Sequence, residues 1–253
     1  MSNVWRVPDY FPVLKSDCVH IWRANLDLPC QQIERLETFL APDEIARANR
    51  FRFARHRRRF VVARGVLRQL IGSYLNIDPQ NLTFIYGDKG KPFLDRTELP
   101  LQFNLSHSHE LALFAFTLKH SIGIDLEYIR PVPDALKIAS RFFSPQEDRM
   151  LREIEQEQQA QLFFRLWTAK ESYLKAVGTG LADSLSNIEI AFDSTDSVYS
   201  LAIKQKSEAN SDWSLYSCTP SVNYIAAIAL EAFGLRQDIS YWHWQSDLFL
   251  TIK

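Results

Sequence analysis

The chain has 253 residues, of which 46% are hydrophobic and 13% aromatic, and its formal net charge is -1. Such a length and composition suit one large or two small packed domains, and the near-zero charge excludes a global polycation built for nucleic acid or an acidic tail. Three cysteines, Cys18, Cys30 and Cys218, lie far apart without a Cys-x-x-Cys pair, which fits a reducing compartment and argues against disulfides or a zinc cluster. The first ten residues lack a signal-peptide core and no apolar run is long enough to span a bilayer, so the expectation is a soluble cytoplasmic protein with no membrane partner.

In chain order, hydrophobic periodicity predicts a strand at about 18 to 26, short helices over about 31 to 49 and a long helix at about 57 to 75. Strands follow at about 82 to 86, 101 to 106 and 111 to 117. A second series repeats the order: a strand at about 121 to 128, helices over about 134 to 158, a long helix at about 160 to 177, then strands near 186 to 193, 198 to 205, 212 to 219 and 224 to 231. Ile21 and Ile124 are 103 residues apart, Pro42 and Pro145 also 103, and Phe60 and Phe164 104. This near-constant offset predicts an α+β fold of two similar halves, residues 1-119 and 120-253, in a pseudo-twofold arrangement. A ligand would sit in the cleft between them.

Two acidic motifs stand out in the second half. In Gly-Ile-Asp-Leu-Glu (123 to 127), Asp125 and Glu127 share one face of a strand. In Trp-Thr-Ala-Lys-Glu-Ser-Tyr-Leu-Lys (167 to 175), Glu171 and Lys175 are one helical turn apart. Packing that helix on that strand would gather three oxygen ligands for a hard cation, Mg2+ or Mn2+, able to hold phosphate. The plainer readings are a surface Glu-Lys pair and an exposed strand face, although adjacent like charges need a compensating cation. Arg55 to Arg59, with Arg47, Arg50 and Arg52 before them, form a basic cluster; a solvated face is its ordinary meaning.

The run of Gly-Ile-Asp-Leu-Glu, Arg-Phe-Phe-Ser-Pro-Gln-Glu (141 to 147) and Trp-Thr-Ala-Lys-Glu-Ser-Tyr-Leu-Lys resembles the 4'-phosphopantetheinyl transferases, and its order, spacing and total length point to the larger, surfactin-type class. Asn-Leu-Ser-His-Ser (104 to 108) and Gly-Lys-Pro (90 to 92) also resemble family motifs, so the likeness covers nearly the whole chain. It implies a monomer that transfers the 4'-phosphopantetheine arm of coenzyme A to a serine of an apo acyl carrier protein, or of a carrier domain of polyketide or nonribosomal peptide synthases. Adenosine 3',5'-bisphosphate would be released.

By the same resemblance Asp125, Glu127 and Glu171 hold Mg2+ against the pyrophosphate, and Lys175 reaches a phosphate oxygen. Glu147 matches a family glutamate that is a candidate general base, or that positions a water; it could equally be a first-turn acid in a helix capped by Ser144. Arg47, Arg59 and Lys91 match the basic residues for the 3'-phosphate, while Ser106 and His107 match contacts to the nucleotide. Glu44 stands where some relatives carry a further basic residue. Ala176 to Leu181, with Gly178 and Gly180, resembles the carrier-contacting loop; a helix C-cap is the commoner use of such glycines. Three rival readings remain at this level: a zinc site at His107-x-His109, a Mg2+-dependent nuclease, and an inactive carrier-binding scaffold.

Overall fold

The protein is described from a computed structural model over residues 4–95, 99–178, 185–192, 198–203, 213–231 and 238–246. The first half runs β1 (Cys18–Asn25), α1 (Cys30–Glu37), α2 (Pro42–Ala48), α3 (Ala54–Leu75), β2 (Phe84–Tyr86), β3 (Pro92–Leu94), β4 (Leu101–Ser108) and β5 (Leu111–Leu118). The second runs β6 (Ile122–Tyr128), α4 (Ala135–Phe142), α5 (Pro145–Glu153), α6 (Gln156–Val177), β7 (Ile188–Phe192), β8 (Val198–Ile203), β9 (Trp213–Cys218) and β10 (Tyr224–Glu231), followed by β11 (Asp238–His243). The strands form a four-stranded sheet, β11-β1-β5-β4, a five-stranded sheet, β6-β10-β9-β8-β7, and the hairpin β2-β3.

Alternation along the strands sets the layers. Val19, Ile21, Leu113 and Ala115 of the first sheet meet Ile124, Leu126, Ala226 and Ile228 of the second in a core between the sheets. On the opposite face, Trp22, Ala24, Phe114 and Phe116 pack against Val62, Val66, Leu67 and Leu70 of α3. Ala227 and Ala229 of β10 join Ala169, Leu174 and Ala176 of α6 in a third core. The result is helix, sheet, sheet, helix. Covered on both faces, β5 is buried at all eight positions, which is why it reads as an unbroken apolar run instead of an alternating one.

The duplication is visible in detail. Both long helices have 22 residues, and each ends on a residue in the left-handed region, Asn76 (φ 54°) and Gly178 (φ 81°). Their register is 102 residues, not the 104 expected from Phe60 and Phe164, and it brings Arg68 and Lys170 into correspondence. Both cations serve one device. Glu44 accepts hydrogen bonds from the Ala41 amide (2.9 Å) and Arg68 Nε (2.6 Å), while Arg68 also donates to the carbonyls of Pro79 and Leu82. Glu147 accepts from the Ser144 amide (2.7 Å) and pairs with Lys170 Nζ at 2.7 Å, while Lys170 donates to the carbonyls of Leu185 and Ile188. In each half a buried ion pair thus ties the start of a short helix to the middle of the long helix and the chain beyond it.

Two elements depart from the expected order. Pro92–Leu94 forms a strand paired with Phe84–Tyr86. More consequentially, β11 lies parallel to β1, with Cys18 opposite Asp238 and Arg23 opposite His243. The division at residue 119 therefore does not hold for the last strand, which belongs to the first half's sheet.

Candidate active site

The acids sit where β6 meets α6. Even positions of β6 enter the core between the sheets, which leaves Gly123, Asp125 and Glu127 on the other face. Gly123 is the point of closest approach: a Cβ there would lie 2.0 Å from the Ser172 carbonyl oxygen and 2.5 Å from the Ala176 amide nitrogen. Helix and strand backbones thus touch at Gly123, and two residues later Asp125 lies opposite the α6 stripe bearing Glu171 and Lys175. Lys175 Nζ donates to Asp125 Oδ1 at 2.6 Å and to Ser106 Oγ at 2.9 Å, and Ser106 Oγ donates to Asp125 Oδ1 at 3.0 Å. Ser108 Oγ donates to Glu127 Oε2 at 3.0 Å, and Arg130 stands 3.6 Å from the same oxygen.

Like charge in a poorly hydrated site leaves its mark. Burial, with Asp125 next in effect, raises the Glu171 carboxyl to about 7, and burial followed by Asp125 also raises Glu127. Asp125 Oδ2 and Glu171 Oε1 are buried without a hydrogen-bond partner. Two orphaned carboxylate oxygens facing one another's charge are the donor set a hard divalent cation satisfies. Among the described residues no group of three His, Cys, Asp or Glu side chains stands ready to hold a metal. Asp125 is held by Lys175 and Ser106, and Glu127 by Ser108 and Arg130. The acids therefore fit an ion that keeps several waters better than a closed protein cage. Among the described residues His107-x-His109 gathers no further ligand, and His109 instead packs on Tyr128, ring centroids 4.4 Å apart.

Glu171, Leu174 and Lys175 form one wall of a cleft of about 400 Å³ whose other wall comes from the first half. Arg47, Phe60 and Arg64 contribute from α2 and α3, Gly90 and Lys91 from the β2-β3 connection, and Ser106 and His107 from β4. The Arg47 guanidinium lies over the Phe60 ring, 5.4 Å from its centre. Lys91 Nζ donates to the Ala176 carbonyl at 2.9 Å, and burial lowers its ammonium to about 8. His107 is exposed to the cleft yet walled by protein, and burial, then Lys175, Arg59 and His56, keep its imidazole below the ordinary range.

Asp125 and Glu127 are not themselves in the cleft lining, and Asp125 meets it through Lys175 and Ser106; two further expected site residues lie elsewhere. Arg59 turns from the cleft into a two-pronged pair with Asp27, at 2.8 and 2.6 Å. The second guanidinium of the cleft is Arg64, buried beside Glu44 at 3.2 Å, with an Nη1 that has no partner. Glu147 is not a cleft residue: it is fully buried, and besides Ser144 and Lys170 it accepts from the Ile190 amide at 2.8 Å. Both of its oxygens are engaged inside the protein, in the capping box of α5, the pair with Lys170 and the bond from Ile190. Of the loop expected to touch a carrier, Gly178 caps α6, while Thr179, Gly180 and Leu181 lie outside the described residues.

Sequence comparison places these observations in a family. The profile of the 4'-phosphopantetheinyl transferase superfamily matches residues 121–229, and that of the 4'-phosphopantetheinyl transferase N-terminal region matches residues 28–118. The 4'-phosphopantetheinyl transferase HetI of Nostoc is 46% identical over 246 residues, 96% of this chain and all of that protein. Sfp of Bacillus subtilis is 31% identical over 67% of this chain and 75% of its own, and the mouse L-aminoadipate-semialdehyde dehydrogenase-phosphopantetheinyl transferase is 30% identical over 59% and 52%. With two matched α+β halves, a cleft between them and full-length similarity to one such enzyme, this chain belongs to the 4'-phosphopantetheinyl transferases of the Sfp type.

Proposed function

We propose that this enzyme transfers the 4'-phosphopantetheine arm of coenzyme A to a serine of an apo carrier protein, with a divalent cation, Mg2+ or Mn2+, held by Asp125, Glu127 and Glu171. The serine oxygen forms a bond to the β-phosphorus as the bond to the bridging oxygen breaks. Adenosine 3',5'-bisphosphate departs and the serine proton is released. A bound divalent cation would neutralise pyrophosphate charge as it shifts to the leaving group. Lys175, in the cleft wall, supplies a compact positive charge that can pass from Asp125 to a phosphate oxygen, since both are anionic acceptors. Arg47, Arg64 and Lys91 offer cationic groups to the distal phosphates, and Ser106 and His107 offer polar atoms to the ribose phosphate.

The observation that carries this reading is the meeting, across one cleft, of Glu171, with its orphaned oxygen, and Lys175 from the second half with a cationic wall from the first, while Asp125 reaches the same cleft through its bonds to Lys175 and Ser106. A pyrophosphate with a second phosphate farther along needs both ends at once. The test is the intact mass of an apo acyl carrier protein incubated with the enzyme, coenzyme A and Mg2+. We expect a gain of one phosphopantetheine arm, lost on chelation and lost in Glu171→Ala. A full gain in chelator, or in Glu171→Ala, would sink the metal assignment while leaving the transfer.

A further inference from the structure

β4 is the edge strand of one sheet and β6 of the other, and no backbone ladder joins them. The join is made by side chains at alternate positions of β4. Asn104 Oδ1 accepts from the Ile124 amide at 3.0 Å, Ser106 Oγ from the Leu126 amide at 3.2 Å and Ser108 Oγ from the Tyr128 amide at 3.1 Å. A period of two on one strand thus matches a period of two on the other. Each serine hydroxyl, having accepted on one side, still has a proton to donate. Ser106 gives it to Asp125, and Ser108 gives it to Glu127.

Ser106 lines the cleft and also meets Lys175, whereas Ser108 is not part of the cleft lining. We propose that Ser108 is a positioning residue, which aims the Glu127 carboxylate at the divalent-cation site by holding one of its oxygens from behind. The Tyr128 amide occupies one accepting position of the Ser108 hydroxyl, and its proton turns to Glu127 Oε2. Half-exposed Arg130 is the competitor for the same Glu127 oxygen at 3.6 Å. Without the serine, Glu127 is free to swing outward to Arg130 and away from Asp125. Outer hydrogen bonds of this kind orient metal ligands and set their affinity. The first half would in this way control metal geometry in the second through a residue that touches neither metal nor substrate. The inference rests on the assignment of Glu127 to the cation.

The test is Mn2+ binding, read by electron paramagnetic resonance of free Mn2+ with coenzyme A present. We compare the natural protein with Ser108→Ala, Ser108→Thr, Glu127→Ala and Ser144→Ala. Ser108→Ala should weaken Mn2+ binding about 10- to 100-fold, and Ser108→Thr, which keeps the hydroxyl, should restore it to within a few-fold. Ser144→Ala removes a remote helix cap and serves as a destabilised control; its Mn2+ affinity should be unchanged. Should the alanine protein not fold, Ser108→Cys keeps the shape with a poor donor and takes its place. Natural affinity in the Ser108 variant, with binding lost in Glu127→Ala, overturns the positioning role alone, as does equal weakening in Ser144→Ala. Unaltered binding in Glu127→Ala overturns the metal assignment and this inference with it.

Discussion

Glu147 and Glu171 both belong to motifs that mark the family, yet their surroundings give them opposite work. Glu147 meets a cation and two amides inside the protein, while Glu171 keeps an oxygen with no partner. Glu147→Gln should therefore act on the fold: leaving Lys170 buried and uncompensated costs about 3–5 kcal/mol. Chemical denaturation should show that loss, while the pH profile of the surviving turnover keeps its shape; a lost limb of the profile would return Glu147 to chemistry. For Glu171 the sign runs the other way. Its folded pKa, about 7, lies above the ordinary glutamate value of 4.5, so the folded metal-free protein holds that proton more tightly than the unfolded chain does. Its contribution to stability is full below pH 4.5 and is lost as pH rises through about 7. Thermal unfolding in chelator between about pH 5 and 8 should show the natural protein losing stability relative to Glu171→Gln, and cation binding should release protons in that window. A constant difference across the range would contradict it. The Glu-Lys spacing that exposed Glu171 was plain in the sequence. Glu147's partner was not, because Lys170 reads as a flanking surface lysine until the helix face is known.

At the level of elements, the site depends on how closely α6 can lie on β6. Gly123 sets that distance, and any side chain there meets helix backbone, which has no rotamer to yield. Gly123→Ala should cost about 3 kcal/mol, the upper end for overpacking, and should weaken Mn2+ binding as Glu171 moves from Asp125; a stable variant with natural affinity would show that the helix can slide. The strand bearing Asp125 and Glu127 was legible because its side-chain period was clear. The Asn-x-Ser-x-Ser run of β4 carried a second signal, three short polar residues on one face, whereas the family resemblance assigns only Ser106 and His107, to the nucleotide. What it could not disclose was its partner, since the β6 edge is set by the sandwich and not by local sequence. Arg59 and Arg64 failed the same way: a basic cluster gives a count of cations, and only Asp27 and the helix rotation decide which one turns from the cleft.

Across the whole molecule, two related halves share one plan, and the clustered acids stand in the second alone. In register with Asp125 and Glu127 the first half has Trp22 and Ala24, and in register with Glu171 it has Gln69. Gln69 Oε1 accepts from Trp244 Nε1 at 3.1 Å, and Trp22 is fully buried, so apolar packing fills the place where the second half has its acids. The paired buried clamps survive in both halves because each still has a helix to tie down. The two-half plan was readable from the repeated order of elements, since offsets near 103 residues need no knowledge of contacts. The closing strand was not readable: its pairing with β1 spans the chain, and no local pattern encodes a neighbour so distant in sequence.

That strand changes how the protein comes into being. A ribosome delivers β1 roughly two hundred residues ahead of β11, at about 5–20 residues per second. Throughout that interval the first sheet has an open edge along β1, with unpaired amides and carbonyls of the kind that recruit strands from other chains. The first half's sheet is thus finished last although its first strand is made first.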